Sequence, residues 1–419
     1  MDRILIEGGQ RLQGEVVVSG AKNAALPIMA ATILAQGTTH LANLPDLRDI
    51  RTISALLRRL GARVELASSR AEMCTDGIDT LKAPYDLVRT MRASVLVLGP
   101  LLARHGRAEV SLPGGCAIGA RPIDLHLKGL AAMGAEIDLD HGYVNAQAPH
   151  GLKGADIFLD LPTVTGTENL AMAACLAKGE TVIRNSAREP EVEDLARFLR
   201  VMGARIEGAG TDVIRVQGVS SLSGAPYRIM SDRIEAGTYM AAAGITGGRV
   251  TLKQAPVANL TSVMRKLEQA GLTFETQGAE TVTAGGPAGI QSADMTTEPY
   301  PGFPTDMQAQ FMALMCLGRG LSVITETIFE NRFIHAQELK RMGADIRLSG
   351  NTAIVEGVEF LSGAPVMASD IRASAGLILA GLAARGQTEV SRVYHLDRGY
   401  ERIEEKLSVL GARIRRVKE

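Results

Sequence analysis

The stretch LRRLGARVEL at residues 57–66 returns five more times along the chain. It reads LAAMGAEIDL at 130–139, LRVMGARIEG at 199–208, LEQAGLTFET at 267–276, LKRMGADIRL at 339–348 and LSVLGARIRR at 407–416. The shared glycines, Gly61, Gly134, Gly203, Gly271, Gly343 and Gly411, lie 73, 69, 68, 72 and 68 residues apart. Six periods of roughly 70 residues account for the whole length, the signature of a repeat architecture. Each copy reads as the end of an amphipathic helix, a left-handed glycine just past it, and then an alternating strand.

A second landmark precedes the first in every period: a long Ala/Met/Leu segment, a glycine, and a short β-branched run. It reads NAALPIMAATILAQGTT at 23–39, NLAMAACLAKGETVI at 169–183 and SAGLILAGLAARGQTEV at 374–390, and the other copies end at Gly106, Gly247 and Gly320. Helix and strand alternate, which predicts the α/β class. Segments such as Asn169 to Ala177 are apolar nearly all round and must be buried on every side. Helices before the glycine phrase, such as Glu191 to Met202 and Glu401 to Leu410, carry charge on one face and belong outside. One 70-residue unit cannot enclose a helix that is apolar all round, but three packed together can. The expectation is two lobes of three units, buried helices at their centres and sheets around them; a single ring of six is the alternative.

Composition narrows the function. With 46% apolar and 22% charged residues, the 419-residue chain has the balance of a globular protein. Lys+Arg total 45 against 46 Asp+Glu, a net charge of −1, which leaves no global field for nucleic acid or an anionic membrane. The longest nearly uncharged apolar run, Ala93 to Ala103, falls short of the roughly 18 residues of a membrane helix. The start of the chain lacks the features of a signal peptide, and four Cys without a CxxC pair make no disulfide framework. These features read as a cytoplasmic, reduced protein. Neither a dinucleotide-type nor a P-loop glycine motif occurs. The seven His show no metal-ligand spacing, and most read as surface or cap residues; Cys175 and Cys316 read as core, and Cys74 as the end of a strand.

The repeat also locates its own exception. Between the two glycine landmarks the copies span 24, 28, 24, 24, 23 and 25 residues. The extra length of the second copy falls between Ser111 and Ile123, a glycine-rich stretch with two prolines, Cys116 and Arg121. That composition suits a surface loop that carries chemistry. Cys116, with a free-thiol pKa near 8.5, can serve as an acid or as a nucleophile.

Polar residues recur where each buried helix begins: Lys22 and Asn23, Arg92, Thr165 to Asn169, Asp232, Asp306, and Asp370 with Arg372. Asp suits a helix cap there. Lys and Arg do not, because a helix N-terminus already carries positive partial charge, so Lys22 and Arg92 are better placed for an anion than for stability. Starts of the outer helices add Arg121, Arg332 and Arg398. Each is individually also readable as a solvated surface residue. If the units face one way, these side chains converge on the cleft between the lobes.

The loop LPGGCAIGARPIDLH, the opening GAKNAALP, and the phrases AREPEV, PYPGFPTDMQAQ, ETIFENRFIH and LDRGYERIEEKL together resemble the enolpyruvyl transferase family, in particular the UDP-N-acetylglucosamine 1-carboxyvinyltransferases. The resemblance runs almost end to end. It implies a two-lobed inside-out α/β barrel of six βαβαββ units, with 22–229 as one lobe and 1–21 plus 230–419 as the other. The implied reaction moves the enolpyruvyl group of phosphoenolpyruvate to the 3′-hydroxyl of UDP-N-acetylglucosamine, without metal or organic cofactor, at the first committed step of peptidoglycan precursor synthesis.

The resemblance also implies roles. Lys22, Arg121 and Arg398 would hold the phosphate and carboxylate of phosphoenolpyruvate, with Asn23 as a neutral donor and Arg92, Arg332 and Arg372 extending the basic wall. Arg121, Pro122, Ile123, Asp124, Leu125 and Thr163 would hold the uridine diphosphate, and the Ile328 backbone and Asp306 the sugar. Cys116 would deliver a proton and be alkylated by fosfomycin, Asp306 would accept one, and Asp370 with Arg398 would orient the intermediate. Where some members read Lys-Val-Ser-Val-Gly, this chain has Leu161-Pro162-Thr163-Val164-Thr165, so the diphosphate contact there falls to hydroxyls or backbone. The implied alternatives are 5-enolpyruvylshikimate-3-phosphate synthesis, whose enzymes lack the Cys loop, and a non-catalytic nucleotide-sugar-binding repeat protein.

Overall fold

The computed structural model describes residues 2–112 and 123–418. Cys116, Arg121 and Pro122 lie outside the described residues.

The glycine phrases act as the sequence leads one to expect. The helix Arg48–Leu60 buries Ile50, Ile53, Leu57 and Leu60, three or four residues apart, and leaves Arg51, Arg58 and Arg59 outside. It stops at Gly61, whose φ of +110° only glycine adopts freely, and a Cβ there would meet the Gly77 carbonyl oxygen at 2.4 Å. The other five shared glycines take the same left-handed conformation.

Among the described residues the strands form six four-stranded sheets and one two-stranded pair. In the second repeat, Arg107–Ser111 pairs antiparallel with Tyr143–Gln147, which pairs antiparallel with Glu136–Asp140. The fourth strand, Lys82–Ala83, is parallel to Arg107–Ser111 and comes first in the chain. With the helices Leu98–His105 and Asp124–Ala132 between them, these strands make one βαβαββ unit. Strands such as Val213–Gln217 and Tyr143–Gln147 bury alternate residues, Ile214 with Val216 and Val144 with Ala146, and so turn one face to the core.

Two compact units contain three of these sheets each. One holds the described residues from Gly20 to Met230, and its last strand, Pro226–Arg228, returns to pair with Thr38–Ala42 of its first repeat. The other joins residues up to Ser19 to those from Ser231 onward. Its last sheet takes strands from both ends of the chain: Arg3–Glu7 lies between Gln387–Ser391 and Arg413–Val417.

Three apolar helices lie in the core of each unit. They are Lys22–Ala31, Leu98–His105 and Val164–Ala174 in one, and Arg233–Thr246, Gln308–Met315 and Ile371–Ala383 in the other. Every residue from Arg372 to Leu382 is buried, which explains why no polar face could be read there. One boundary differs from expectation. The helix read over Asn169–Ala177 begins five residues earlier, because the Thr163 hydroxyl accepts the Gly166 N–H and caps it. Cys175 and Cys316 are core residues, their thiols pushed up to about 12 by burial. No described helix is long and apolar enough to cross a membrane.

Candidate active site

In the unit that holds the chain's second half, Asp306 sits in the turn Thr305–Met307, just ahead of the central helix Gln308–Met315. It does not cap that helix. Its Oδ1 accepts from Arg332 Nη2 at 2.7 Å and its Oδ2 from Arg372 Nη2 at 2.8 Å. Both guanidiniums are nearly inaccessible, with side-chain exposures of 6% and 4%, while Asp306 keeps 25%. The carboxylate is thus the one member of the triad that opens toward solvent. Burial pushes its pKa up, but Arg372 and then Arg332 outweigh burial and hold it well below the usual 3.8.

The surrounding loop is tied down by a residue not anticipated from sequence. Glu326 accepts from the hydroxyls of Thr297 and Thr305, both at 2.8 Å, and from the Ile328 and Phe329 N–H groups at 2.8 and 3.2 Å. Thr305 Oγ1 in turn accepts from Arg332 Nη1 at 2.9 Å. The half-buried Ile328 is therefore positioned through Glu326, with its N–H already engaged. Asp370 and Asp232 do cap helices: Asp370 Oδ1 accepts the Arg372 and Ala373 N–H groups, and Asp232 Oδ1 those of Ile234 and Glu235. Arg398 closes the turn Val393–Arg398, two residues before the buried Tyr400.

In the other unit, Lys22 is the first residue of its helix and is buried, with Nζ 3.7 Å from Asp49 Oδ2. The neighbouring carboxylate compensates a cation at the wrong end of a helix dipole. Asn23, next in the helix, is half-buried. Arg92 opens the turn Arg92–Val97, and Asp124 opens the helix Asp124–Ala132 between buried Ile123 and half-buried Leu125.

Most of the histidines are exposed or half-buried, as expected, but His126 and His335 are core residues, both 2% exposed. Burial lowers the His126 pKa to about 4, Arg92 reinforces that and Asp124 opposes it. Its tautomer follows from its partners. Gly99 donates its N–H to Asn169 Oδ1 at 2.7 Å, which turns Asn169 Nδ2 toward the Val95 carbonyl and His126 Nδ1, at 3.3 and 3.0 Å. Nδ1 therefore accepts, and the ring proton on Nε2 points to Thr165 Oγ1 at 3.3 Å. Thr165, accepting from the ring, keeps its own hydroxyl proton to donate elsewhere. The signal was available: His126 shares the buried stripe of Gly129, Leu130 and Met133. His335 is likewise lowered to about 4 by burial, against Asp370 and with Arg332.

Among the described residues no group of three or more His, Cys, Asp or Glu side chains could hold a metal ion. In one unit Lys22 begins a central helix beside Asn23, and in the other two arginines grip a carboxylate; such cations suit an anionic ligand, and the carboxylate a proton transfer.

Comparison with known proteins agrees. The family model for EPSP synthase (3-phosphoshikimate 1-carboxyvinyltransferase) matches residues 6–407. A UDP-N-acetylglucosamine 1-carboxyvinyltransferase from Trichlorobacter lovleyi is 59% identical over 419 residues, and one from Desulfosudis oleivorans 61% identical over 417, each alignment covering 100% of both chains. Among solved structures, the enolpyruvyl transferase NikO from Streptomyces tendae superposes with a TM-score of 0.89 at 25% identity, covering 100% of this chain and 99% of that one. An EPSP synthase from Acinetobacter baumannii, 22% identical with full coverage of both chains, gives a TM-score of 0.76 and shares the fold. The chain belongs to the enolpyruvyl transferase family and is a carboxyvinyl transferase.

Proposed function

We propose that this enzyme transfers the enolpyruvyl group of phosphoenolpyruvate to the 3′-hydroxyl of UDP-N-acetylglucosamine. The products are UDP-N-acetyl-3-O-(1-carboxyvinyl)-glucosamine and phosphate, and the reaction is the first committed step of cytoplasmic peptidoglycan precursor synthesis. The observation that carries this reading is end-to-end identity near 60% with relatives named for that acceptor. The identity to EPSP synthase structures is 22%.

The addition needs one proton delivered to C3 of phosphoenolpyruvate and one removed from the sugar hydroxyl. We assign the first to Cys116, which the epoxide fosfomycin would alkylate, and the second to Asp306. The Asp306 carboxylate is ionised at neutral pH, as a base must be, but with both oxygens on guanidiniums it is a weak one. An anionic substrate that draws Arg332 or Arg372 away leaves the carboxylate more basic, so substrate binding and base activation are linked. Lys22, Asn23, Arg92, Arg121 and Arg398 would hold the phosphate and carboxylate, each charge-assisted bond contributing roughly 1.5–3 kcal/mol. Residues 121–125, Thr163 and the free proton of Thr165 would hold the nucleotide diphosphate, in place of the lysine that other members have. Ile328 and Asp306 would meet the sugar, and Asp370 with Arg398 would orient the intermediate.

The test is phosphate release from phosphoenolpyruvate with UDP-N-acetylglucosamine, with shikimate 3-phosphate, and with neither. Release is expected only with the nucleotide sugar; release with shikimate 3-phosphate alone overturns the assignment.

A further inference from the structure

Beneath the Asp306 triad lies a buried polar cluster that joins the three repeats of its unit. Gln310, on the helix Gln308–Met315, directs Nε2 at three acceptors: the Asp306 carbonyl at 3.0 Å, Thr238 Oγ1 at 3.0 Å and the Tyr400 hydroxyl at 3.1 Å. Thr238 belongs to the helix Arg233–Thr246, and Tyr400 follows the turn Val393–Arg398. None of the three side chains is more than 2% exposed. Arg372 packs its guanidinium over the Tyr400 ring, 5.4 Å from the centroid.

The directions of these bonds can be worked out. The Asp306 carbonyl can only accept, so the Gln310 amide nitrogen faces it, whatever the hydroxyls do. The Ile234 carbonyl can only accept, so the Thr238 hydroxyl donates to it, at 2.8 Å. Thr238 Oγ1 is then the acceptor for the Tyr400 O–H at 2.9 Å. The sequence runs from Gln310 to Tyr400 to Thr238 to the Ile234 carbonyl, and the tyrosine has no proton left for the reaction. What remains is its ring, locked in one orientation under Arg372, and the hydroxyl oxygen, which also faces that guanidinium. The guanidinium the ring supports has one nitrogen, Nη2, on Asp306 and another, Nη1, buried with no hydrogen-bond partner. A guanidinium gripped on one side only, by Asp306, takes its tilt from the surface beneath it.

We propose that Tyr400 is a positioning residue, whose ring, fixed by Gln310 and Thr238, holds Arg372 against the Asp306 carboxylate and so sets how readily Asp306 takes a proton. The groups bearing on Asp306 are Arg332 and Arg372 directly; Asp232 and Tyr400 act on Arg372, and Asp370 and His335 flank Arg332. Glu326 reaches the triad only through Thr305. Of the groups that touch Arg372, Tyr400 is the one that can be changed without altering a formal charge at neutral pH. The inference rests on Asp306 being the base assigned above, but its test does not need the acceptor to be right.

The experiment follows the Asp306 carboxyl by carbon NMR in protein labelled at aspartate Cγ, with Asp306→Asn to assign the signal. Tyr400→Leu removes ring and hydroxyl and should raise the Asp306 titration midpoint by about one pH unit or more, the low end of what one adjacent guanidinium contributes. In turnover, the acid limb of the pH profile should move up by the same amount, with kcat reduced about tenfold to a hundredfold, the scale of a misplaced catalytic group. Tyr400→Phe keeps the ring and should recover most of both. Thr238→Val, which removes the acceptor of the tyrosine proton and is the safer variant to fold, should shift the midpoint in the same direction by less. Leu407→Ala, a buried apolar change in the helix Ile403–Val409, is the stability control and should move neither. An unmoved carboxyl titration in both Tyr400→Leu and Thr238→Val overturns the proposal, as does an equal shift in Leu407→Ala. A raised midpoint in Tyr400→Leu together with no phosphate release by wild-type protein with UDP-N-acetylglucosamine instead defeats the acceptor assignment and leaves Tyr400 as the positioner of Arg372.

Discussion

Asn169 Oδ1 accepts the Gly99 N–H at 2.7 Å, so the first turn of one central helix is tied to the middle of the next by an amide inside an apolar core. The approach leaves no room at Gly99: a Cβ would fall 2.4 Å from Asn169 Oδ1 and 2.5 Å from its carbonyl oxygen. Gly99→Ala should therefore lower stability by about 1–3 kcal/mol, the usual cost of overpacking. Urea denaturation checks it, and an unchanged midpoint would show that the helices can slide apart freely.

Removing the carboxylate is the corresponding test in the other unit. Asp306→Ala should reduce kcat by about a hundredfold or more, the range lost with a general base. UDP-N-acetylglucosamine should still bind by calorimetry, since the guanidiniums remain. A variant that turns over at the wild-type rate would pass the role of base to another group.

Acid should weaken the fold through two imidazoles. His126 and His335 are held near 4 by burial, whereas an unfolded histidine titrates near 6.5. Between those values the unfolded chain binds protons that the folded chain refuses, so stability falls as pH drops from about 6.5 toward 4 and is fully present above that window. Each histidine contributes up to about 1.4 kcal/mol per pH unit. Denaturation midpoints of wild type and His126→Gln at pH 7, 6 and 5 test this; the variant should show the shallower slope, and parallel slopes would refute the assignment.

Fosfomycin should modify Cys116 and spare two of the other thiols. Burial raises Cys175 and Cys316 to about 12, leaving almost no thiolate at neutral pH. Mass spectrometry of peptides should find the adduct on Cys116 alone of these three and none after Cys116→Ser. Adducts that persist in that variant would remove the assigned role.

Most of the architecture was legible because it is written in glycine and in periodicity. Gly61 and its five counterparts mark the ends of outer helices by a backbone conformation that other residues avoid, and the apolar helices could only be interior. Candidate site residues stood out in the sequence where charge sat oddly, at Lys22 and Arg92. The pairing of Asp306 with Arg332 and Arg372 did not, since these residues meet only through the packing of neighbouring repeats. Gln310 and His126 were missed for a different reason. Each is a single polar residue on an apolar helix face, and such a residue implies a buried partner without saying which. Gln310 in MQAQFMALM is such a residue, and its partners are Thr238 and Tyr400 of the neighbouring repeats.

The strand Arg3–Glu7 is flanked on both sides, by Gln387–Ser391 and Arg413–Val417. As the ribosome delivers the polypeptide, this strand must wait, unpaired, until the distant Gln387–Ser391 and Arg413–Val417 have been made. The unit spanning Gly20 to Met230 has no such delay and can finish while its companion is still being made. Trimming the leading residues would accordingly split a sheet down its middle instead of fraying a border.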